Sequence, residues 1–223
     1  KAFSDQLKNW LKENPYSYGA NYKCGQEATL RMVNVLIAYS VFKDLGLATK
    51  EDEKNVFKLV EDSYKKVLSN FFYAHKCIKN NHTFTEILGL IIGAWCSKDN
   101  KRLREAYILM DKEITAQFLE DGGFTQYSFN YHRFTLQILE CLHKISGKTG
   151  IYIKETERIK KSILLLYNLQ SRNGDLPNYG SNDGALIFPL STCDYRDFKP
   201  VLNTMYTLLT GKRLYSKGDF DEE

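Results

Sequence analysis

Apolar positions recur along this chain with the three- and four-residue spacing of amphipathic helices. The clearest run begins at Thr49, where Val56, Leu59, Val60, Tyr64, Val67, Leu68 and Phe71 fall on one helical face. Thr49 and Asp52 give that run a cap-like start. The same spacing predicts helices near residues 26–45, 83–98, 101–119, 129–146, 154–171 and 199–210. Most links are short, as suits antiparallel helix hairpins. No alternating strand series and no clear internal sequence repeat appear. The pattern therefore predicts an all-α chain, with residues 1–223 as a single helical domain.

Three places complicate this picture. In "NNHTFTEILGLIIGAW", residues 80–95, Thr83 and Glu86 have capping-box spacing, which would leave Asn81 and His82 just outside a helix built for burial. Two readings stand: an ordinary turn, or an amide and an imidazole waiting for an anion at the positive end of a helix. In the run 129–146, Tyr131 shares the face of Phe134, Ile138, Cys141, Leu142 and Ile145. It is either core or a phenol at the mouth of a helix bundle, with Gln126, Asn130, His132 and Arg133 around it. Third, the connections at 121–128 and 171–200 are rich in glycine or polar residues, and long ordered loops on a helical scaffold often carry function.

Composition narrows the function class. A net charge of +4 and the lack of any Lys/Arg block argue against a nucleic-acid partner. The longest apolar run, from Ile87 to Trp95, is too short to span a bilayer. Five scattered cysteines without a C-x-x-C pair give no zinc signature and fit a reducing compartment. Fifteen Tyr and thirteen Phe suit sugar stacking as well as core packing. In "NPYSYGANYKCGQEATLRM", Tyr16, Tyr18 and Tyr22 precede Gln26 and Glu27 and read either as a stacking wall with polar readers or as rings packed on the following helix. Asn182-Asp183-Gly184 reads as a tight turn.

Taken in order, "KCGQEA", "NNHTFTE", "DGGFTQYSFNYHR" and "NDGALIFPLSTCDYRDF" resemble the helical domain of the heparinase II/III-like polysaccharide lyases, over about residues 14–215. The alginate lyases with the same helical toroid share the Asn-His and Tyr elements.

The resemblance implies an incomplete (α/α) toroid of helix hairpins, truncated at both ends. It also implies a β-sandwich partner domain beyond this segment, bearing a second catalytic His. A chain cut in this way is expected to expose apolar surface, to self-associate and to be inactive alone. The implied activity is β-elimination on a uronate-containing acidic polysaccharide, without cofactor or metal. By resemblance, Asn81 and His82 neutralise the uronate carboxylate, Tyr131 transfers the proton, and His132 is its neighbour. Tyr22, Gln26, Glu27, Gln126, Asn182 and Asp183 are carried over as substrate-binding, cleft-lining residues. The rival reading is a carbohydrate-binding or polysaccharide-assembly protein that keeps the cleft without turnover. Family habit points to export to the periplasm or medium, cysteine usage to the cytoplasm, so the compartment stays open.

Overall fold

The structure is a computed structural model that describes residues 1–189 and 191–218. The described residues form α1 (Ala2–Glu13), α2 (Gly25–Asp44), α3 (Lys50–Tyr73), α4 (Asn81–Cys96), α5 (Asn100–Gln117), α6 (Phe129–Thr149), α7 (Thr156–Leu169) and α8 (Lys199–Thr210). A 3₁₀ turn precedes α2 and a π turn, Ala74–Ile78, follows α3. Among the described residues there is no strand, only one isolated antiparallel bridge between Phe118 and Phe124. The fold is all-α, as the periodicity predicts. No helix among them is long and apolar enough to cross a membrane. The chain divides into two compact units, residues 1–106 and residues 107 onward, with the division falling inside α5.

In the first unit, α2, α3 and α4 pack against one another in all three pairings. Helix α4 is apolar on every side: Phe84, Ile87, Leu88, Leu90, Ile91, Ile92 and Ala94 are all buried. Such a helix needs neighbours all round, and its two glycines let them come close. A Cβ on Gly89 would lie 2.3 Å from Thr29 Oγ1 of α2, and one on Gly93 would lie 2.1 Å from the Tyr64 ring of α3. Helix α3 starts with the expected reciprocal cap: Asp52 N–H donates to Thr49 Oγ1 at 3.1 Å, and Thr49 N–H donates to the Asp52 carboxylate at 2.9 Å. Val56, Leu59, Val60 and Val67 of the predicted stripe are buried, whereas Leu68 is exposed. Helix α1 and the π turn lie outside the predicted set of helices. Leu7 is the one buried side chain of α1, too little to announce an apolar face.

Glu86 faces inward from α4 and is fully buried. It does not reach back to the helix start as the capping-box spacing suggests. Its Oε1 accepts from Asn70 Nδ2 at 2.7 Å, and its Oε2 has no hydrogen-bond partner. The carboxyl lies against Gly25, where a Cβ would stand 2.4 Å from it. Burial raises its pKa to about 7 against the opposing Asn70 hydrogen bond, so the group is largely protonated below neutrality.

In the second unit, α6 and α7 both pack on α8. Phe134, Ile138 and Leu142 of the α6 stripe are buried together with Ile159, Ile163, Leu166, Leu202 and Met205, while Cys141 and Ile145 are only half-buried. Ser128 caps α6 by accepting from Tyr131 N–H at 3.2 Å, and Gly150 ends it at φ 71°. The loop 171–197 is pinned to the start of α6. Phe129 N–H donates to Tyr179 O at 3.2 Å, and Ser128 Oγ donates to Ser181 O at 2.5 Å. Further along, Ile187 N–H donates to Gln137 Oε1 at 3.0 Å. Gly180, at φ 75°, passes so close to Tyr127 that a Cβ would meet its carbonyl oxygen at 2.0 Å.

His132 lies in this second core. It is 2% exposed, its Nε2 pairs with Ser162 Oγ, and its ring packs 5.6 Å from both Phe118 and Phe124. Burial lowers its pKa to about 3, which keeps the imidazole neutral.

These contacts generate two predictions. Gly93→Ala should destabilise the chain by about 1–3 kcal/mol in urea unfolding, because the new methyl meets the Tyr64 ring. An unchanged midpoint would show that Tyr64 moves aside freely. The second concerns pH. Glu86 binds its proton more tightly when folded, so its contribution is complete below pH 4.5 and is lost as pH rises towards 7. His132 has the opposite sign: its contribution is complete above pH 6.5 and is lost as pH falls towards 3. Each slope is about 1.4 kcal/mol per pH unit inside its window. Both tryptophans, Trp10 and Trp95, lie in the first unit, so their fluorescence follows the unit that contains Glu86. Relative to Glu86→Gln, the stability it reports for the wild type should fall from pH 4.5 to 7, since the rising slope from the lowered His82 pKa is common to both proteins. Superimposable curves for the two proteins would mean that the Glu86 carboxyl is ionised throughout.

Candidate functional site

The polar groups expected to carry chemistry gather at the first turns of two helices, one in each unit. In the first unit, α4 begins three residues earlier than its capping-box spacing predicts. Asn80 is the cap, its Oδ1 accepting from His82 N–H at 2.9 Å. Asn81 and His82 are therefore the first two residues of the helix and not part of a preceding turn. Thr83, displaced from the cap, donates through its hydroxyl to Ala74 O of the π turn at 2.8 Å.

The two residues differ in exposure. Asn81 is 2% exposed, and its carbonyl accepts from Thr85 Oγ1 at 2.9 Å. Thr85 in turn accepts from Gln26 Nε2 at 3.1 Å, so Gln26 is tied into the same buried group. His82 is half-buried, and its Nδ1 lies 3.7 Å from the sulfur of Cys24, the N-cap residue of α2. Burial lowers the His82 pKa while the Glu27 charge works against that shift, so the ring is neutral at physiological pH. Glu27 itself is exposed.

Tyr22 does not form an open stacking surface. It is 4% exposed, meets Tyr16 edge-on at 5.3 Å, and lies 5.3 Å from the Arg31 guanidinium, which also covers Trp10 at 4.6 Å. The 3₁₀ turn Ala20–Tyr22 folds the ring inward, and Tyr18 is left as the exposed tyrosine of that stretch. Tyr22 and Gln26, expected to line a cleft, are both buried, Tyr22 against Arg31 and Gln26 hydrogen-bonded to Thr85.

In the second unit, Tyr131 donates its hydroxyl to Asp183 Oδ2 at 2.6 Å. Asn130 Nδ2 reaches the other oxygen, Oδ1, at 3.4 Å, and Ala185 N–H donates to Oδ1 at 3.1 Å. Burial first, then the hydrogen bond and charge of Asp183, push the Tyr131 pKa up to about 12. The same hydrogen bond lowers the Asp183 pKa. The pair is thus a phenol on a carboxylate. Tyr131 is half-buried and Asp183 exposed, so the pair reaches the surface. His132, one residue along α6, is turned into the core and hydrogen-bonds there to Ser162, not to Tyr131. As a proton-transfer neighbour it is enclosed. The helical rotation between successive residues, about 100°, separates the two side chains.

Asn182 joins the cluster through Tyr195, whose hydroxyl lies 2.7 Å from both Asn182 Oδ1 and Asn130 Oδ1. Asn182 Oδ1 also accepts from Gly184 N–H, which makes the expected tight turn. Beneath Asn130, Arg133 is 1% exposed, its guanidinium 4.5 Å from the Tyr195 ring and 4.4 Å from that of Phe198. It donates to Tyr195 O and to Asn130 Oδ1, the latter at 3.2 Å. A narrow crevice beside this group is lined by Phe129, Pro177, Asn178, Tyr179, Tyr195 and Arg196. Gln126 is half-buried in the turn before α6. Asn80, Cys24 and Tyr195 were not foreseen. Asn80 and Tyr195 had a signal in the text, since Asn is a strong N-cap and Tyr195 lies inside "CDYRDF". Nothing local marked Cys24 as a partner of a residue 58 positions away.

Among the described residues no group of three or more His, Cys, Asp or Glu side chains is placed to hold a metal ion. No curated protein and no solved structure matches the chain. The family described as heparinase II/III N-terminus matches residues 1–185. With most of its length matched, the chain belongs to the heparinase II/III N-terminal family.

Proposed function

We propose that this protein is a polysaccharide lyase that cleaves a uronate-containing acidic polysaccharide by β-elimination. The observation that carries the reading is the family match over residues 1–185. The chemistry of the two helix starts supports it.

In such a reaction a base, here the second catalytic His that the resemblance puts on the β-sandwich partner domain, takes the proton from C5 of the uronate, and the C5–H electron pair becomes the C4=C5 double bond. The C4–O bond breaks, and the leaving oxygen takes up a proton. The intermediate carries an extra negative charge beside the carboxylate, so fixed donors must offset it. In this reading Asn81 and His82 supply them at the first turn of α4, where the helix dipole also favours an anion. His82 is the accessible donor, and Asn81 lies directly before it.

Tyr131 transfers the proton. A hydroxyl held as a phenol with a pKa of about 12 is suited to protonating the leaving alkoxide, more than to taking the C5 proton as a resting phenolate. Asp183 fixes the direction of that hydroxyl. His132, enclosed in the core, has a structural part in this scheme and no contact with substrate.

Full-length protein, with the β-sandwich domain that the family resemblance implies, incubated with a panel of acidic polysaccharides should generate the ultraviolet absorbance of an unsaturated uronate. Hydrolysis without that chromophore, or binding without turnover across the panel, would reject the lyase reading. Tyr131→Phe should lower kcat by about 10²–10⁴-fold and leave KM near its wild-type value, because proton transfer belongs to the transition state. A Tyr131→Phe protein with normal turnover would make Tyr131 a packing residue. Asn81→Ala should lower kcat by about 10²–10³-fold and raise KM as well, since the carboxylate is present in both bound substrate and intermediate.

A further inference from the structure

The contact between Cys24 and His82 is a polar pairing at the α4 entrance that the elimination scheme leaves unused. The two residues lie 58 positions apart and belong to two helix starts, the cap of α2 and the second position of α4. A thiol can donate weakly or accept weakly, so the contact fits either S–H to Nδ1 or Nδ1–H to sulfur, and the tautomer of His82 decides between them. Nδ1 is the nitrogen that faces the sulfur, at 3.7 Å. The other nitrogen, Nε2, makes no hydrogen bond among the described residues. Cys24 forms no side-chain cap on α2, so its thiol proton is not committed elsewhere. It is also a free cysteine, half-buried beside a half-buried ring.

We propose that Cys24 is a positioning residue for His82: its S–H donates to Nδ1 and so holds the imidazole in the tautomer that carries its proton on Nε2. Which nitrogen of a neutral histidine holds the proton is set by the hydrogen bond at the other one. The consequence is a ring that presents an N–H donor outward, although burial keeps it uncharged. This significance for catalysis rests on the reading of His82 as the carboxylate donor; the tautomer assignment does not. It also makes Cys24 a point of chemical control, because any modification that removes the thiol proton releases the tautomer.

The test is nitrogen NMR of the full chain with isotopically labelled imidazoles, at mildly alkaline pH. His82→Gln identifies the His82 signals among those of His75, His132 and His143. In the wild type His82 should appear as the Nε2–H tautomer. In Cys24→Ala the ratio of tautomers should move towards Nδ1–H by roughly fivefold, the change a hydrogen bond of ordinary net strength supports. If Cys24→Ala unfolds, methyl methanethiosulfonate gives the same information on the wild-type chain. The Cys24 thiolate displaces methanesulfinate, forms an S–S bond to the methylthio group and leaves its proton in solvent, and dithiothreitol reverses the step. The tautomer ratio should shift on modification and return on reduction. A ratio unchanged by both treatments overturns the proposal, as does a doubly protonated His82 paired with a thiolate in the wild type. Sodium glucuronate separates the two readings. If His82 keeps its Cys24-dependent tautomer yet shows no response to glucuronate, the positioning role stands and the carboxylate role falls.

Discussion

Burying helix α4 on every side is the constraint from which the first unit follows. A helix without a polar face places polar atoms at least cost at its ends or in satisfied pairs, and α4 does both except at Glu86 Oε2, which has no hydrogen-bond partner. Thr83 and Thr85 spend their hydroxyls on carbonyl oxygens, and Glu86 is protonated against Asn70. Close approach of the neighbours demands small residues, supplied by Gly89 and Gly93 on α4 and by Gly25 on α2. What remains open is the first turn. Asn80 caps it, Asn81 is drawn inward, and His82 is left half-exposed. The position of the candidate donors is thus a by-product of how a fully apolar helix must begin.

The second unit solves a different problem. Helix α6 carries a buried arginine, and a buried guanidinium needs aromatic faces and carbonyl acceptors to offset its lost hydration. Arg133 obtains both from Tyr195 and Phe198, residues that the loop after α7 delivers. Pinning this loop also brings Asp183 to Tyr131. One arrangement therefore stabilises a charge in the interior and fixes the direction of a hydroxyl at the surface.

Helix identity was legible in the sequence wherever an apolar face was long. Helices α2 to α8 lie where the spacing puts them, and the Thr49–Asp52 cap is present with both of its hydrogen bonds. The start of α4 was misplaced because two signals competed: Thr83 and Glu86 have capping-box spacing, but Asn80 takes the cap and Glu86 is claimed by Asn70. Tyr22 and Gln26 look polar enough for a surface; Tyr22 is covered by the nearby Tyr16 and Arg31, whereas Gln26 is held by Thr85, 59 positions away. The pairing of Tyr131 with Asp183 spans 52 positions and has no local signature at all, although both residues lay in motifs that carried the resemblance. Long-range partners, more than element types, are what periodicity leaves unread.

That 52-position span has a bearing on the order of assembly. Asp183 and Asn182 are held in an exposed loop by a handful of hydrogen bonds, whereas α6 beneath them is locked by its apolar stripe. Closing a long loop costs entropy that only its own contacts repay, and segments with few buried apolar contacts open at lower free energy than the core. The Tyr131–Asp183 contact is therefore expected to form after the α6 stripe has packed and to open at a lower free energy than that core. A preparation with full helical content can still have lost the geometry of its phenol, so far-ultraviolet circular dichroism measures the scaffold and not the competence of the site.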